Sequence, residues 1–351
     1  MTSGHPITLD CIIFGLQRFG GISNYWAKLV EHANVDPALD CSLTVPKHLT
    51  YRDLGDEWKR RMPVLRERLD ARLTRYLKAP VVNGDSVFHT SYYRLPNRRV
   101  AKYVVSVYDF TYERYRTGLA RFVHSTQKLR SIRQADAVLC ISESTRRDII
   151  DLCPDIDARK LHVVHLGVDH DAFFRDVSSP PSISEQTVLF VGQRGGYKRF
   201  DLAIDAVRQS ARLSLGIVGP ALTNEERTKL GQALGARWNE YGPVGTAELR
   251  RLYSSVFAFI FPSDYEGFGL PVLEAMACGC PVVAASKSSL PEVGGSAALY
   301  AASQSGEAYA TALHALDMAT VREGAVRAGL LRVEQFPWSQ TMQRTVAIYL
   351  Q

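Results

Sequence analysis

The sequence lacks any apolar run approaching the ~20 residues that a bilayer span needs. Its first residues, Met1 to Asp10, carry neither the basic nor the apolar region of a secretion signal. Cysteine is sparse: Cys11, Cys41, Cys140, Cys153, Cys278 and Cys280 are scattered, and the last two stand at a spacing that suits neither a CxxC redox pair nor a zinc pair. Free thiols in a reducing, cytoplasmic setting are expected. No strand leads into Gly-x-Gly-x-x-Gly with an acidic residue ~20 positions later, which argues against a dinucleotide dehydrogenase. No Asp-x-Asp cluster offers itself to a metal, since Asp53/Asp56 and Asp155/Asp157 lie in charged, surface-like stretches. A nucleic-acid reader motif is also missing, and the basic residues are mixed with acids.

What is present suits a globular chain of about two domains: 351 residues, 46% hydrophobic. The net charge of +6 is uneven. Up to Arg175 there are 27 basic against 20 acidic residues, and beyond it 15 against 16. A basic first half suits an anionic partner, a membrane surface or a phosphorylated lipid. Residues 51–78 hold seven of the arginines, with apolar residues mostly at helical spacing, and read as a basic amphipathic helix interrupted by Pro63. Such a helix can lie on an anionic membrane or cover the domain core.

The most informative stretch begins with the apolar run Val256 to Phe261, a buried parallel strand by its composition. A glycine-rich turn follows, then a helix from Val272 to about Cys278 with Pro271 where it starts and Gly279 where it stops. The strand Val282 to Ala285 closes the unit. A helix N-terminus preceded by glycines can hold a phosphate. Glu266 in the turn and Glu274 in the helix can accept hydrogen bonds from sugar hydroxyls.

The pattern recurs upstream. Thr187 to Val191 reads as a strand and Phe200 to Gln209 as a helix, joined by the basic glycine loop Gly192 to Arg199. Its glycines let Arg194 and Lys198 converge on a diphosphate without side-chain crowding. Near the start, the strand Ile7 to Phe14, the pair Gly20-Gly21 and the helix Ile22 to His32 repeat the theme, with Ser23 as a cap. Ser142 and Thr246 are expected to cap the helices they precede, as is Thr320 for Val321 to Gln335. His89, Thr90 and Asp109 fall at the carboxyl ends of parallel strands, where open α/β sheets keep their ligands.

Glu266 and Glu274 with Glu-Gly-Phe-Gly-Leu-Pro between them resemble the retaining nucleotide-sugar glycosyltransferases of family 4, most strongly from Val188 to Pro291. The Tyr108-Asp109-Phe110 and Gly195-Gly196-Tyr197-Lys198 segments look like bacterial surface-polysaccharide and O-antigen (lipopolysaccharide) mannosyltransferases. The resemblance implies an α/β GT-B fold, two doubly wound Rossmann-like domains facing each other across a cleft. The acceptor-side domain would occupy 1–175, a linker 176–186, the nucleotide-sugar domain 187–335, and a helix in 336–351 would cross back.

It also implies a metal-independent hexosyltransferase that needs no cofactor beyond its GDP- or UDP-linked donor, mannose from GDP-mannose foremost. The acceptor would be a lipid-linked glycan at the inner face of the cell membrane, which the basic domain touches peripherally. Arg194 and Lys198 would neutralise the leaving diphosphate, Glu266 would hold the sugar and Glu274 the ribose. Phe268, Gly269 and Leu270 would line the donor, Val244 would meet the base, and Gly20 and Gly21 would approach the diphosphate. Asp109, His89 and Thr90 would stand on the acceptor side. Relatives carry His-Asp where this chain has Tyr108-Asp109, so only Asp109 carries over there. The stretch Ser288 to Glu292 matches the family and would be structural, far from the site. Alternatives are a UDP-sugar transferase, a nucleotide-sugar-binding protein without turnover, an epimerase, or a phosphorylase, whose pyridoxal lysine region is not found.

Overall fold

The computed structural model describes residues 5–18, 20–51, 61–81, 83–176 and 186–351. They form two compact units: Gly167–Pro337, and a discontinuous one made of the described part of Met1–Leu166 with Trp338–Gln351. Most of the expected linker, residues 177–185, lies outside the described residues.

The discontinuous unit contains strands β1 (Ile7–Asp10), β2 (Cys41–Val45), β3 (Val64–Arg66), β4 (Val87–Thr90), β5 (Lys102–Val107), β6 (Ala137–Cys140) and β7 (Leu161–Val163). They pair in the order β3-β2-β1-β4-β5-β6-β7, all parallel. β1, β4 and β6 are buried along their whole length, as expected of strands with both faces covered by helices. Strand order reverses between β1 and β4, so the loops after those two strands diverge and leave a crevice at their carboxyl ends. The helix Gly21–Val35 buries Tyr25, Trp26, Leu29, Val30 and Ala33 at helical spacing. The last helix, Trp338–Leu350, packs its Trp338 ring against Tyr25 at 6.2 Å. Its Thr341 hydroxyl donates to the His165 carbonyl at 2.8 Å.

The second unit contains β8 (Thr187–Val191), β9 (Ser214–Val218), β10 (Trp238–Gly242), β11 (Ala258–Phe261), β12 (Val282–Ala285) and β13 (Leu299–Ala301). The order is β10-β9-β8-β11-β12-β13, again all parallel. The reversal falls between β8 and β11, so this unit repeats the doubly wound plan. Each unit is therefore a Rossmann-like layer structure, the α/β fold that the resemblance implies.

Several local expectations change. Val64–Arg66 is a strand beside β2, and only Ala71–Thr74 is helical in the described part of 51–78; residues 52–60 lie outside it. Apolar residues three and four apart cannot tell a short strand and turn from a helix. β1 ends at Asp10, and Ile13–Leu16 is a helical turn. Ser23 does not cap: it lies inside its helix and its hydroxyl donates to the Gly20 carbonyl at 3.0 Å. Ser142 does cap, accepting the Thr145 N–H at 3.0 Å. Thr246 and Thr320 lie inside the helices Thr246–Ser255 and Ala319–Val333 rather than capping them. Instead Thr223 and Glu226 form a capping box at Asn224–Leu234.

Candidate functional site

In the second unit the expected donor residues gather at the carboxyl ends of β8, β9, β10 and β11. Three glycines end the first three of these strands. The Gly192 N–H donates to the Val218 carbonyl at 2.9 Å and the Gly219 N–H to the Gly242 carbonyl at 3.0 Å. At Gly219 a Cβ would stand 2.3 Å from the Gly192 carbonyl oxygen, so only glycine lets the loops after β8 and β9 approach this closely. Val244 lies just beyond, half-buried, between β10 and the helix Thr246–Ser255.

The basic loop brings Lys198 to Glu266: its Nζ is 2.6 Å from Glu266 Oε1, with both side chains mostly buried. Arg194 behaves differently. Its Nε and Nη2 bind the Glu226 carboxylate at 2.7 and 3.2 Å, and Nη2 also donates to the Ala221 carbonyl at 2.9 Å. Its buried Nη1 has no hydrogen-bond partner among the described residues. Glu226 thus holds the guanidinium by two parallel bonds and leaves one nitrogen unspent. The capping box that positions Glu226 is a local signal, Thr-x-x-Glu, which could have been read from the sequence. Arg199, in left-handed backbone geometry, ties the loop down through Asp201 and through Asp264 at 3.3 Å.

The loop bearing Glu266 is held from behind. The Glu266 N–H donates to Ser288 Oγ at 2.8 Å, and the buried Ser289 hydroxyl bridges the carbonyls of Glu266 and Phe268 at 2.9 and 2.8 Å. Ser288 and Ser289 therefore sit directly against the Glu266 loop rather than far from it. They are close because β11 and β12 are adjacent strands, which places the loops that follow them side by side. Phe268 is buried edge-on against Phe336 at 5.9 Å, so its ring supports the loop. Gly269 takes left-handed geometry and precedes the helix Leu270–Ala277, with Leu270 and Pro271 in its first turn. Glu274 lies on this helix, and its side chain has no hydrogen-bond or ion-pair partner among the described residues. Burial pushes its carboxyl up to about 7. A carboxylate poised in this way gains from any ligand hydroxyl that donates to it.

In the discontinuous unit, Gly20 precedes the helix Gly21–Val35, which starts with Gly21 exposed. His89 and Thr90 lie at the end of β4 but are fully buried. His89 binds the Tyr349 hydroxyl through Nδ1 at 2.6 Å and Ser106 Oγ through Nε2 at 2.8 Å. Burial lowers its pKa to about 3, so it is neutral. The Thr90 hydroxyl donates to Asp10 at 2.8 Å, and Arg94 spans the buried carboxylates of Asp10 and Glu67 at 3.1 and 2.6 Å. Both residues are thus buried and hydrogen-bonded within the interior. Tyr108 is also a core residue, its hydroxyl accepting the Trp26 indole N–H at 2.5 Å.

Asp109 is half-buried, and its carboxylate accepts the Thr111 N–H at 2.9 Å. Lys128, which the sequence reading missed, holds this turn: its buried Nζ donates to the Asp109 carbonyl at 2.8 Å and to Glu113 at 2.9 Å. Burial opposes ionisation of Glu113, but the His124 ring 3.6 Å away and the Lys128 ammonium at 2.9 Å bring its carboxyl down to about 2.

Comparison with known proteins follows the same division of the chain. Residues 22–172 match the model described as Glycosyltransferase Family 4, and residues 185–317 the model described as Glycosyl transferases group 1. The chain is 43% identical over 114 residues to O-antigen chain mannosyltransferase B of Escherichia coli, 32% of this chain and 30% of that protein. Its matched segments span about a third to just under two thirds of the length of the curated relatives. Among solved structures it resembles sucrose-phosphate synthase of Thermosynechococcus elongatus, with a TM-score of 0.76 at 18% identity over 98% of both chains. It also resembles WaaG, a glycosyltransferase involved in lipopolysaccharide biosynthesis, with a TM-score of 0.72 at 12% identity over 98% of this chain and 99% of that one.

Proposed function

This chain belongs to the family 4 glycosyltransferases of GT-B fold, and from that premise we propose that it moves mannose from GDP-mannose onto a hydroxyl of a growing, lipid-linked surface glycan. The observation that carries the reading is the contact of Lys198 with Glu266, in the loop that leads into the helix Leu270–Ala277. A cation for a leaving phosphate and an acceptor for sugar hydroxyls meet there.

In the proposed reaction the bond between the anomeric carbon and the phosphate oxygen breaks. The acceptor oxygen bonds to that carbon from the same face, and its proton passes to the departing phosphate. Nucleoside diphosphate and a lengthened glycan result, with the donor's configuration kept. Negative charge grows on the diphosphate as the bond opens. Lys198, the spare Nη1 of Arg194 and the helix N-terminus stabilise it, each such contact being worth roughly 1–4 kcal/mol. These groups supply the charge without a metal ion. Glu266 holds the sugar and Glu274 the ribose, whose hydroxyls donate to its half-buried carboxyl. Val244 meets the base, while Asp109, braced by Lys128, faces the acceptor. The basic first unit contacts an anionic membrane from the cytoplasmic side.

A second reading keeps donor binding and drops turnover. It is favoured by the engagement of Lys198 with Glu266, which must loosen before this cation reaches a phosphate. One experiment separates the readings. Thermal shifts with GDP-mannose, UDP-glucose, UDP-galactose and UDP-N-acetylglucosamine identify the donor, since a ligand adds RT ln(1 + [L]/Kd) to stability. Release of free GDP or UDP then measures turnover. GDP-mannose is expected to give the largest shift and to be consumed. A shift without nucleotide release, in the presence of lipid-linked acceptor, supports the binding-only reading, and a larger UDP-sugar shift moves the donor assignment.

A further inference from the structure

The discontinuous unit carries a groove of about 360 Å³ between the turn after Ala71–Thr74 and the helix Gly118–Gln134. Its walls are apolar: Tyr76 and Leu77 on one side, Phe122 and Val123 on the other. These side chains are unusually open to solvent, 56% for Tyr76, 52% for Leu77 and 68% for Phe122. Leu73 and Leu119, four residues before Leu77 and three before Phe122, extend the apolar surface. Leaving such side chains in water forgoes roughly 25 cal/mol per Å² that burial would return, and contiguous exposed apolar surface of this kind marks a binding site.

Among the described residues, the charge lining the groove has one sign. Lys78 and Arg130 are exposed in it without an ion-pair partner, and no acidic residue lines it, among those same residues. The helix Gly118–Gln134 carries Arg121, Lys128, Arg130 and Arg133 and no acid at all. The groove is built on fixed parts. The Gln127 amide donates to the Arg75 carbonyl and fastens the turn to the helix, while Arg94 at its floor is clamped by two buried carboxylates. Its volume, its mostly apolar lining and its few polar groups fit a small-molecule site.

We propose that this groove binds an anionic amphiphile, an alkyl or isoprenyl phosphate, with the first carbons of the chain between Tyr76, Leu77, Phe122 and Val123 and the phosphate on Lys78 and Arg130. This deepens the acceptor half of the function proposed above and rests on its lipid-linked acceptor, whose anchor the groove would grip. Neither half of the groove suffices alone: inorganic phosphate lacks the chain, and a neutral detergent lacks the charge.

The test is thermal denaturation of the full chain with n-dodecyl phosphate below its micelle concentration, beside inorganic phosphate and n-dodecyl maltoside. Dodecyl phosphate is expected to raise Tm in a saturable way, and the two controls are not. Lys78→Glu with Arg130→Glu, and separately Phe122→Ser, should weaken the apparent affinity at least tenfold. All three positions are exposed, so the unliganded Tm should stay at the wild-type value and the shift given by GDP-mannose should persist. No shift with dodecyl phosphate, an equal shift with dodecyl maltoside, or undiminished shifts in the variants would overturn the proposal. So would binding to phosphatidylglycerol vesicles with no response to the monomeric phosphate, which would make the surface a bilayer dock. Loss of the nucleotide-sugar shift alone would strike the function proposed above and leave the groove standing.

Discussion

His89 and Tyr349 are 260 residues apart in sequence and share a hydrogen bond of 2.6 Å inside the discontinuous unit. The bond fastens the last helix to β4, and the Lys102 ammonium adds a second tie to the Ile348 carbonyl. Tyr349→Phe would leave a buried imidazole nitrogen without its partner, at a cost of about 1–3 kcal/mol. The expected result is a Tm several degrees lower with a nearly unchanged donor Kd, because Arg194, Lys198, Glu266 and Glu274 lie in the other unit. An unchanged melting curve would show that the contact adds nothing.

Lys198→Ala removes the cation beside Glu266. Turnover should fall by about tenfold or more, up to ~10³, the scale of a lost transition-state charge contact. Donor Kd should rise far less, because the charge at stake develops only as the bond breaks. Single-turnover product formation, measured at saturating donor, distinguishes the two. An equal loss in Kd and in rate would make Lys198 a simple ground-state ligand.

Glu274 makes donor binding depend on pH. Burial places its carboxyl at about 7, above the usual 4.5, so the folded chain holds this proton more tightly than the unfolded chain. Stability from this group is therefore greatest below about 4.5 and declines as pH rises to about 7. Ribose hydroxyls donating to the ionised form reverse the preference, and donor affinity should rise between pH 6 and pH 8. Isothermal titration across that range should show the trend in the wild type and a flat profile in Glu274→Gln. Glu274→Ala should bind donor more weakly at every pH. Identical pH profiles would remove Glu274 from the ribose site.

Gly219→Ala tests the meeting of the loops after β8 and β9. The added methyl would lie 2.3 Å from the Gly192 carbonyl oxygen, in backbone geometry with φ at +150°. A loss of about 1–3 kcal/mol is expected from the strain. Donor affinity should suffer as well, because Gly192 must withdraw and carry Arg194 with it. Retained affinity in a destabilised variant would mean that the loop tolerates displacement.

The parts of the fold that were legible in the sequence are those encoded locally. Glu266 to Glu274 and Gly192 to Arg199 each lie within one strand–loop–helix segment, so their residue types and spacing stand together on the chain. The two doubly wound sheets follow the resemblance that these local segments carry. What escaped reading depends on neighbours far along the chain. Glu226 reaches Arg194, Ser288 reaches Glu266 and Tyr349 reaches His89 only once strand order is known. A strand of three residues such as Val64–Arg66 carries too short a pattern to outweigh the helical spacing around it.

Because Trp338–Leu350 belongs with the strands that precede Gly167, that unit cannot be completed during synthesis until Gly167–Pro337 has been made. Gly167–Pro337 emerges as an uninterrupted segment and has every one of its strands in hand before then. The order of translation therefore places maturation of the donor half first. A nascent chain stalled near Pro337 would already hold all its nucleotide-binding residues while His89 still awaited Tyr349.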